Sequence, residues 1–265
     1  MDDLLSTVDV GRLAGVGPTA VKRWADQGLI QCVRTAGGHR RFRRAEVEQF
    51  LKSTQGSGAK SFVDLLLQTD GLGVEAGLLT ERSRLGSWLA VAEMLGEALA
   101  ELGHRWRAGA VTIVQEHLAS GRLARALARI GDALPVAPGA PRCMLACAEG
   151  DQHALGLSLL EVALREAGWA TLWAGQDTPA ADLAEVARRG DAEMIAVSAS
   201  AASTEPEALR RQAALLGEAC GRSGVALALG GSGPWPESPP GAERFHALAP
   251  FVAHARVLAE AAGSG

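Results

Sequence analysis

At 265 residues, with 48% hydrophobic and 21% charged side chains, the chain has a globular composition, room for two or three domains, and too large an apolar share for a wholly disordered polymer. No apolar run approaches the roughly 18 residues of a membrane span, and Met1-Asp2-Asp3 lacks the positive start of a signal peptide; a cytoplasmic protein with no membrane partner is expected. The net charge of -4 does not point to nucleic acid, but between Lys22 and Arg44 seven cations stand against the single acid Asp26, an asymmetry of the kind that DNA-binding segments show.

In chain order, Thr7 to Ala14 has helical spacing through Val10, Leu13 and Ala14, with Thr7 as N-cap and Gly15 as stop. Gly17-Pro18-Thr19 opens a second helix whose inward face is Val21, Trp24 and Ala25, while Thr19, Ala20, Lys22 and Arg23 face out. Two short helices joined by a tight turn make a helix-turn-helix. The basic segment Arg34-Thr35-Ala36-Gly37-Gly38-His39-Arg40-Arg41-Phe42 reads as a hairpin with a Gly-Gly tip, a wing able to straddle phosphates. A third helix from Arg44 to Leu51 closes the head through Val47, Phe50 and Leu51. This head resembles the winged helix-turn-helix of MerR-family regulators, in which the Gly-Gly-His-Arg-Arg-Phe wing recurs. The resemblance implies operator DNA as partner. Thr19, Lys22 and Arg23 would enter the major groove, and Arg34, Thr35, His39, Arg40 and Arg41 would grip the backbone or minor groove. A solvated basic face on a protein-binding head is the competing explanation. One head reads one half-site, so a homo-oligomer, dimer or tetramer, is implied.

Residues 53–59, rich in Gly and Ser, read as a flexible linker between a head at 1–52 and a helical segment at 60–134. Breaks near Asp70-Gly71, Arg82-Ser83 and Ala108-Gly109 divide that segment into four helices, economically packed as an up-down bundle. The third, Leu85 to Trp106, aligns Trp88, Val91, Ala92, Leu95, Leu99, Leu102 and Trp106 in one stripe; the fourth begins near Ala110. The spacing Trp106-x9-Glu116-His117 resembles the motif by which CarH-type bundles cap the upper face of adenosylcobalamin. That resemblance implies Trp106 and Glu116 around the 5′-deoxyadenosyl group, and His117 as an upper cobalt ligand once light has removed it. A core tryptophan and a solvated Glu-His pair are the plainer alternative.

Beyond a stiff connector with Pro135, Pro138 and Pro141, residues 135–265 alternate apolar strands and amphipathic helices: strand Arg142 to Ala148, helix His153 to Ala167, strand Trp169 to Trp173, helix Ala180 to Arg189, strand Met194 to Ser198, helix Pro206 to Cys220 and strand Val225 to Leu229. Such alternation builds a parallel sheet, which places His153, Ser198 and Gly230-Gly231 on one carboxyl edge. Asp151, two residues before His153, can hold one imidazole nitrogen and leave the other as a lone-pair donor to a metal, and Gly156 lets a flat ligand approach the first helical turn. The cysteines show no paired CxxC spacing and read as buried thiols.

Asp151-x-His153-x-x-Gly156 resembles the lower-ligand motif of cobalamin-binding Rossmann domains, in methionine synthase, corrinoid methyltransferase proteins and CarH-type light regulators. It implies His153 as the lower axial ligand of cobalt, with Ser198, Gly230 and Gly231 receiving the displaced dimethylbenzimidazole tail. Two departures from the family stand out: Ser198-Ala199-Ser200 in place of Ser-x-Leu, and a proline loop after Gly231 where a helix is usual. The expected architecture is multidomain α and α/β, with a winged helix-turn-helix head, a four-helix bundle and a Rossmann-like parallel-sheet cobalamin-binding domain. The expected function, by resemblance, is a light-responsive transcriptional regulator, a repressor and not an enzyme, with adenosylcobalamin as chromophore. The alternatives are a regulator of the same architecture independent of cobalamin or using another chromophore, a corrinoid-binding methyl-transfer protein, and a drug-sensing MerR-type regulator.

Overall fold

The computed structural model describes residues 4–14, 17–26, 28–35, 37–54 and 58–262. The start Met1-Asp2-Asp3, the expected stop at Gly15 and the centre of the expected linker, residues 55–57, lie outside them. The chain divides into two compact units, Met1–Ile130 and Gly131–Gly265.

The first unit begins with strand β1 (Leu4–Ser6), helices α1 (Thr7–Ala14) and α2 (Pro18–Asp26), strands β2 (Val33–Arg34) and β3 (Arg40–Arg43), and helix α3 (Arg44–Thr54). The strands form an antiparallel sheet in the order β1-β3-β2. The sequence patterns passed over β1, three residues long. Its last residue, Ser6, caps α1 in place of the expected Thr7: the Ser6 hydroxyl accepts the Asp9 N–H at 3.2 Å while Asp9 Oδ2 accepts the Ser6 N–H at 3.0 Å, a reciprocal capping box. Val10, Val21, Trp24, Phe42, Val47 and Leu51 form the head's core, but Leu13, expected inside, is exposed. Eight residues give two helical turns, and only the stripe through Val10 and Ala14 reaches that core.

Four helices follow: α4 (Ala59–Gln68), α5 (Gly71–Leu85), α6 (Trp88–Arg107) and α7 (Ile113–Ala133). The break expected at Arg82-Ser83 falls later. Gly86 takes the left-handed conformation (φ 83°) that ends α5, and Ser87 accepts the Ala90 N–H at 3.1 Å to start α6. The fourth helix likewise starts later than Ala110, with Thr112 and Gln115 capping each other. Trp88, Val91, Ala92, Leu95 and Leu102 are buried with Met94 and Ala98, Leu99 is half-buried, and Trp106 departs from the stripe at 46% exposed. Arg105, one residue earlier, bonds Glu101 at 2.9 Å and reaches Asp64 and the Lys60 carbonyl of α4, so polar groups close the bundle beside Trp106.

The second unit is an α/β sandwich of β4 (Arg142–Cys147), α8 (Leu155–Glu166), β5 (Ala170–Gly175), α9 (Ala180–Arg189), β6 (Met194–Ser198), α10 (Pro206–Ser223), β7 (Ala226–Gly230), β8 (Glu243–Arg244) and α11 (Leu248–Ala262). All five strands run parallel in the order β5-β4-β6-β7-β8. Because the chain leaves β4 for one neighbour and returns to β6 on its other side, the loops after β4 and β6 part at their carboxyl ends, the crevice where doubly wound sheets take ligands. Ile195, Val197, Leu227 and Leu229 pack toward α9 and α10, while α8 and α11 cover the other face. His153, expected as the first helical residue, precedes α8 in the loop. The proline-rich segment after Gly231 is a packed turn: Trp235 is buried and donates its indole N–H to the Gly230 carbonyl at 2.9 Å.

Candidate functional site

After β4 the chain turns sharply at Gly150 (φ 87°), and the Asp151 N–H reaches back to the Ala148 carbonyl at 2.9 Å. This aims the buried Asp151 carboxylate into the loop. Oδ1 accepts the His153 N–H at 2.9 Å, lies 3.0 Å from His153 Nδ1, and accepts the Ser200 hydroxyl at 3.1 Å; Oδ2 accepts the Ser200 N–H and, at 2.8 Å, the Ser203 hydroxyl. Burial opposes the charge, but the Ser200 and His153 amides, the Ser203 hydroxyl and the His153 ring outweigh it and hold the carboxyl down from 3.8 to about 2. An ionised carboxylate at Nδ1 fixes the tautomer with the proton there, so the lone pair sits on Nε2 of a ring that is 63% exposed.

The β5–α9 loop braces this one from behind. Gly150 N–H donates to Asp177 Oδ1 at 2.6 Å, Asp177 N–H to the Asp151 carbonyl at 2.8 Å, and Gln176 Nε2 to the Gln152 carbonyl at 2.6 Å. Below the loop, the Cys147 thiol is pushed up to about 12 by burial and then by the Asp151 charge, so it stays a neutral thiol.

The register sets Cys147 opposite Ser198 and Ser198 opposite Gly230, so Ser198 and Gly230 end their strands at one level. Beside them opens an apolar cleft of about 210 Å³, lined by Gly156, Leu160, Ser198, Gly230, Gly231 and Phe251 among others. Gly156 and Gly230 are not demanded by packing: a Cβ on Gly156 would meet only Ser198 Oγ at 4.0 Å, and one on Gly230 nothing within 4 Å. Gly231 differs. Its φ of 84° is left-handed, and a Cβ there would strike the Ala199 carbonyl oxygen. A single outward imidazole nitrogen, two glycines open on their ligand side and an adjoining apolar cleft fit a large flat chelate with a tail. Among the described residues no group of three or more His, Cys, Asp or Glu could hold a metal ion, and the exposed His153 ring offers one nitrogen donor.

In the first unit, Trp106 ends α6 and Glu116 and His117 stand in the opening turns of α7. Glu116 accepts the Ser120 hydroxyl at 2.6 Å and lies 3.6 Å from His117 Nε2. His117 is exposed, as are Ile113, Val114 and Leu118 on the same turns, so the start of α7 presents apolar surface beside the His117 imidazole.

In the head, Thr19 and Lys22 are exposed on α2, and Arg34, Thr35 and His39 are exposed on the wing. The wing tip is closed by the Thr35 N–H to His39 carbonyl bond at 2.9 Å and by the Thr35 hydroxyl accepting the His39 N–H at 3.2 Å. Arg40 is turned inward, donating to the Lys22 carbonyl at 3.0 Å and pairing with Asp26, and half-buried Arg41 donates to the Arg40 carbonyl at 3.2 Å. Arg23 pairs with Glu75 of α5 at 3.1 Å. Ser6, Thr7, Lys22, Arg34, His39, Arg40 and Arg41 line one groove.

Sequence patterns missed Ser203 as a holder of Asp151, and noted Ser200 only as a departure. The available signal was position, since both follow β6 in the loop that a reversal of strand order brings beside the loop after β4. Asp177 and Glu75 carried no pattern of their own.

Residues 141–237 match the B12 binding domain family and residues 4–55 the helix-turn-helix domain family. The HTH-type transcriptional repressor CarA of Myxococcus xanthus is 28% identical over 213 residues, 66% of this chain and 69% of that protein. The HTH-type transcriptional repressor CarH of the same organism is 36% identical over 92 residues, 34% of this chain and 30% of that protein. The Methanosarcina barkeri monomethylamine corrinoid protein, 18% identical, superposes with a TM-score of 0.56 over 76% of this chain and 97% of its own, a likeness of fold. The chain thus carries a helix-turn-helix domain at 4–55 and a B12 binding domain at 141–237, and it is similar to the transcriptional repressors CarA and CarH.

Proposed function

We propose that the chain is a transcriptional repressor that binds operator DNA through its head, uses adenosylcobalamin as a light-sensitive chromophore, and changes its oligomeric state, and with it its hold on DNA, when the adenosyl group is lost. The observation that carries this reading is the Asp151-held imidazole of His153 at the switch point of the sheet, beside an apolar cleft. His153 Nε2 would ligate cobalt, Asp151 keeping its partner nitrogen protonated. Gly156, Ser198 and Gly230 would border the tail in the cleft. Trp106 and Glu116 would enclose the adenosyl group, with His117 as a second imidazole after its departure. When bound, the cofactor supplies a cobalt–carbon bond that visible light breaks. Each head alone holds one half-site, so joining several in one oligomer raises avidity by a factor of roughly 10²–10⁴.

Gel filtration and DNA mobility shift of the full chain with adenosylcobalamin, in the dark and after illumination, test the proposal together. The expected result is a larger dark assembly that shifts operator-containing DNA and a smaller illuminated one that releases it. A cofactor that elutes free of the protein would leave a regulator independent of cobalamin.

Asp151→Ala should weaken cobalamin binding by about 10–100-fold, the usual loss when a ligating imidazole loses its hydrogen-bond partner. Equilibrium titration read from the absorption spectrum checks this. Affinity within about twofold of the parent would mean that the carboxylate serves the loop alone.

A further inference from the structure

Glu75 lies in the second turn of α5 with its side chain only 4% exposed, and it belongs to neither the proposed cofactor site nor the proposed DNA site. Two arginines share it. Arg23 of the recognition helix α2 reaches Oε1 at 3.1 Å, and Arg129 of α7 reaches Oε2 at 2.9 Å while its Nη2 donates to the Gly71 carbonyl at 3.3 Å. The next residue, Ala76, is part of the head's own apolar core, so α5 is wedged into the head at this point. Both arginine side chains remain substantially exposed, Arg23 at 37% and Arg129 at 46%, and can swing to solvent or to another anion; the carboxylate cannot.

We infer that Glu75 is a latch competing with DNA phosphate for Arg23, and that Arg129 sets how firmly the latch holds. The inference rests on the proposed DNA-binding role of the head and adds a regulator of that same surface. A carboxylate taken out of water needs a cation, and losing its last partner is costly. While Arg129 stays on Glu75, Arg23 can leave for a phosphate at modest cost. When Arg129 is drawn away, Glu75 must keep Arg23, and the recognition helix loses a cation. Arg129 lies twelve residues along α7 from His117, roughly 18 Å at the helical rise, so one rigid element links the exposed apolar end of the bundle to the latch. A displacement of α7 at that end changes the share of Glu75 left for Arg23, and by linkage DNA bound to Arg23 favours the seated position of Arg129.

The test is binding of the full chain to a labelled mixed-sequence DNA duplex across a salt series, with thermal melts of each variant. Glu75→Gln should bind roughly three- to tenfold more tightly and steepen the salt dependence by about one phosphate contact. Arg129→Gln, a change at an exposed position, should do the opposite and weaken binding. The gain from Glu75→Gln should vanish in an Arg23→Gln background. Unchanged or weaker binding by a folded Glu75→Gln, or a gain that survives without Arg23, would overturn the latch while leaving the DNA-binding head in place. If Glu75→Gln does not fold, parent-like or tighter binding by Arg129→Gln would overturn it alone. Should neither parent nor variants bind duplex at low salt, the DNA-binding proposal falls and the latch with it.

Discussion

His153→Ala is expected to fold as the parent does and to lose cobalamin affinity by more than the 10–100-fold typical of losing a ligand's outer partner, since here the ligand itself is removed. The fold should survive because the ring is 63% exposed and its hydrogen-bond partner, Asp151, keeps Ser200 and Ser203. Residual binding through the apolar cleft would leave the cofactor's own dimethylbenzimidazole on cobalt, giving the spectrum of free cobalamin. Titration followed by absorption checks both points, and parent-like affinity with an unchanged spectrum would remove His153 from the metal.

Gly231→Ala should cost about 3 kcal/mol, combining roughly 1–2 kcal/mol for a left-handed alanine with overlap against neighbouring atoms. The added carbon would strike the Ala199 carbonyl oxygen and sit 2.9 Å from Ser198 Oγ, and the backbone there leaves it no free direction. A fall of about 10 °C in the melting temperature of the apoprotein is the expected reading. By contrast Gly230→Ala, one residue earlier, meets nothing within 4 Å and should melt nearly as the parent does, its effect falling on ligand binding alone. Equal melting temperatures for the two variants would contradict this division of a Gly-Gly pair into a structural and a ligand-facing half.

That division shows where sequence reading reached its limit. The pair was legible as a feature of the cleft edge, but which glycine the backbone needs depends on the turn through Ser198 and Ala199, and no spacing rule gives that. The parallel sheet was legible because apolar runs and helical periodicity alternate strongly from Arg142 to Leu229. Strand β8 was not, at two residues with charged side chains, one of which, Arg244, spends its guanidinium on the carbonyls of Leu229, Gly231, Gly233 and Phe245. Helical spacing aligns Trp106 with Trp88 and Leu102 in one stripe, but it carries no information about where the neighbouring helices stop covering that stripe. Trp106 is exposed there, as are His117, Ile113, Val114 and Leu118, which leaves apolar side chains on the surface at that end of the bundle. The motif Asp151-x-His153 was legible as a pair. That Ser200 and Ser203 hold the carboxylate ionised is a product of strand order, which brings loops some 50 residues apart into hydrogen-bond contact. Arg23 and Arg40, which the resemblance to MerR-family heads assigns to DNA, are engaged within the unit by Glu75 and Asp26, since a run of like charge says nothing about which members find a carboxylate.

Coordination of cobalt by an imidazole of the sheet edge is read by electron paramagnetic resonance of the protein loaded with cob(II)alamin after growth with ¹⁵N-histidine. Each cobalt line should change from the three-fold splitting of an axial ¹⁴N to the two-fold splitting of ¹⁵N, and the change should be absent in His153→Ala. A three-fold splitting that persists under labelling would put the nucleotide's own base on the metal and rule out His153 as its ligand.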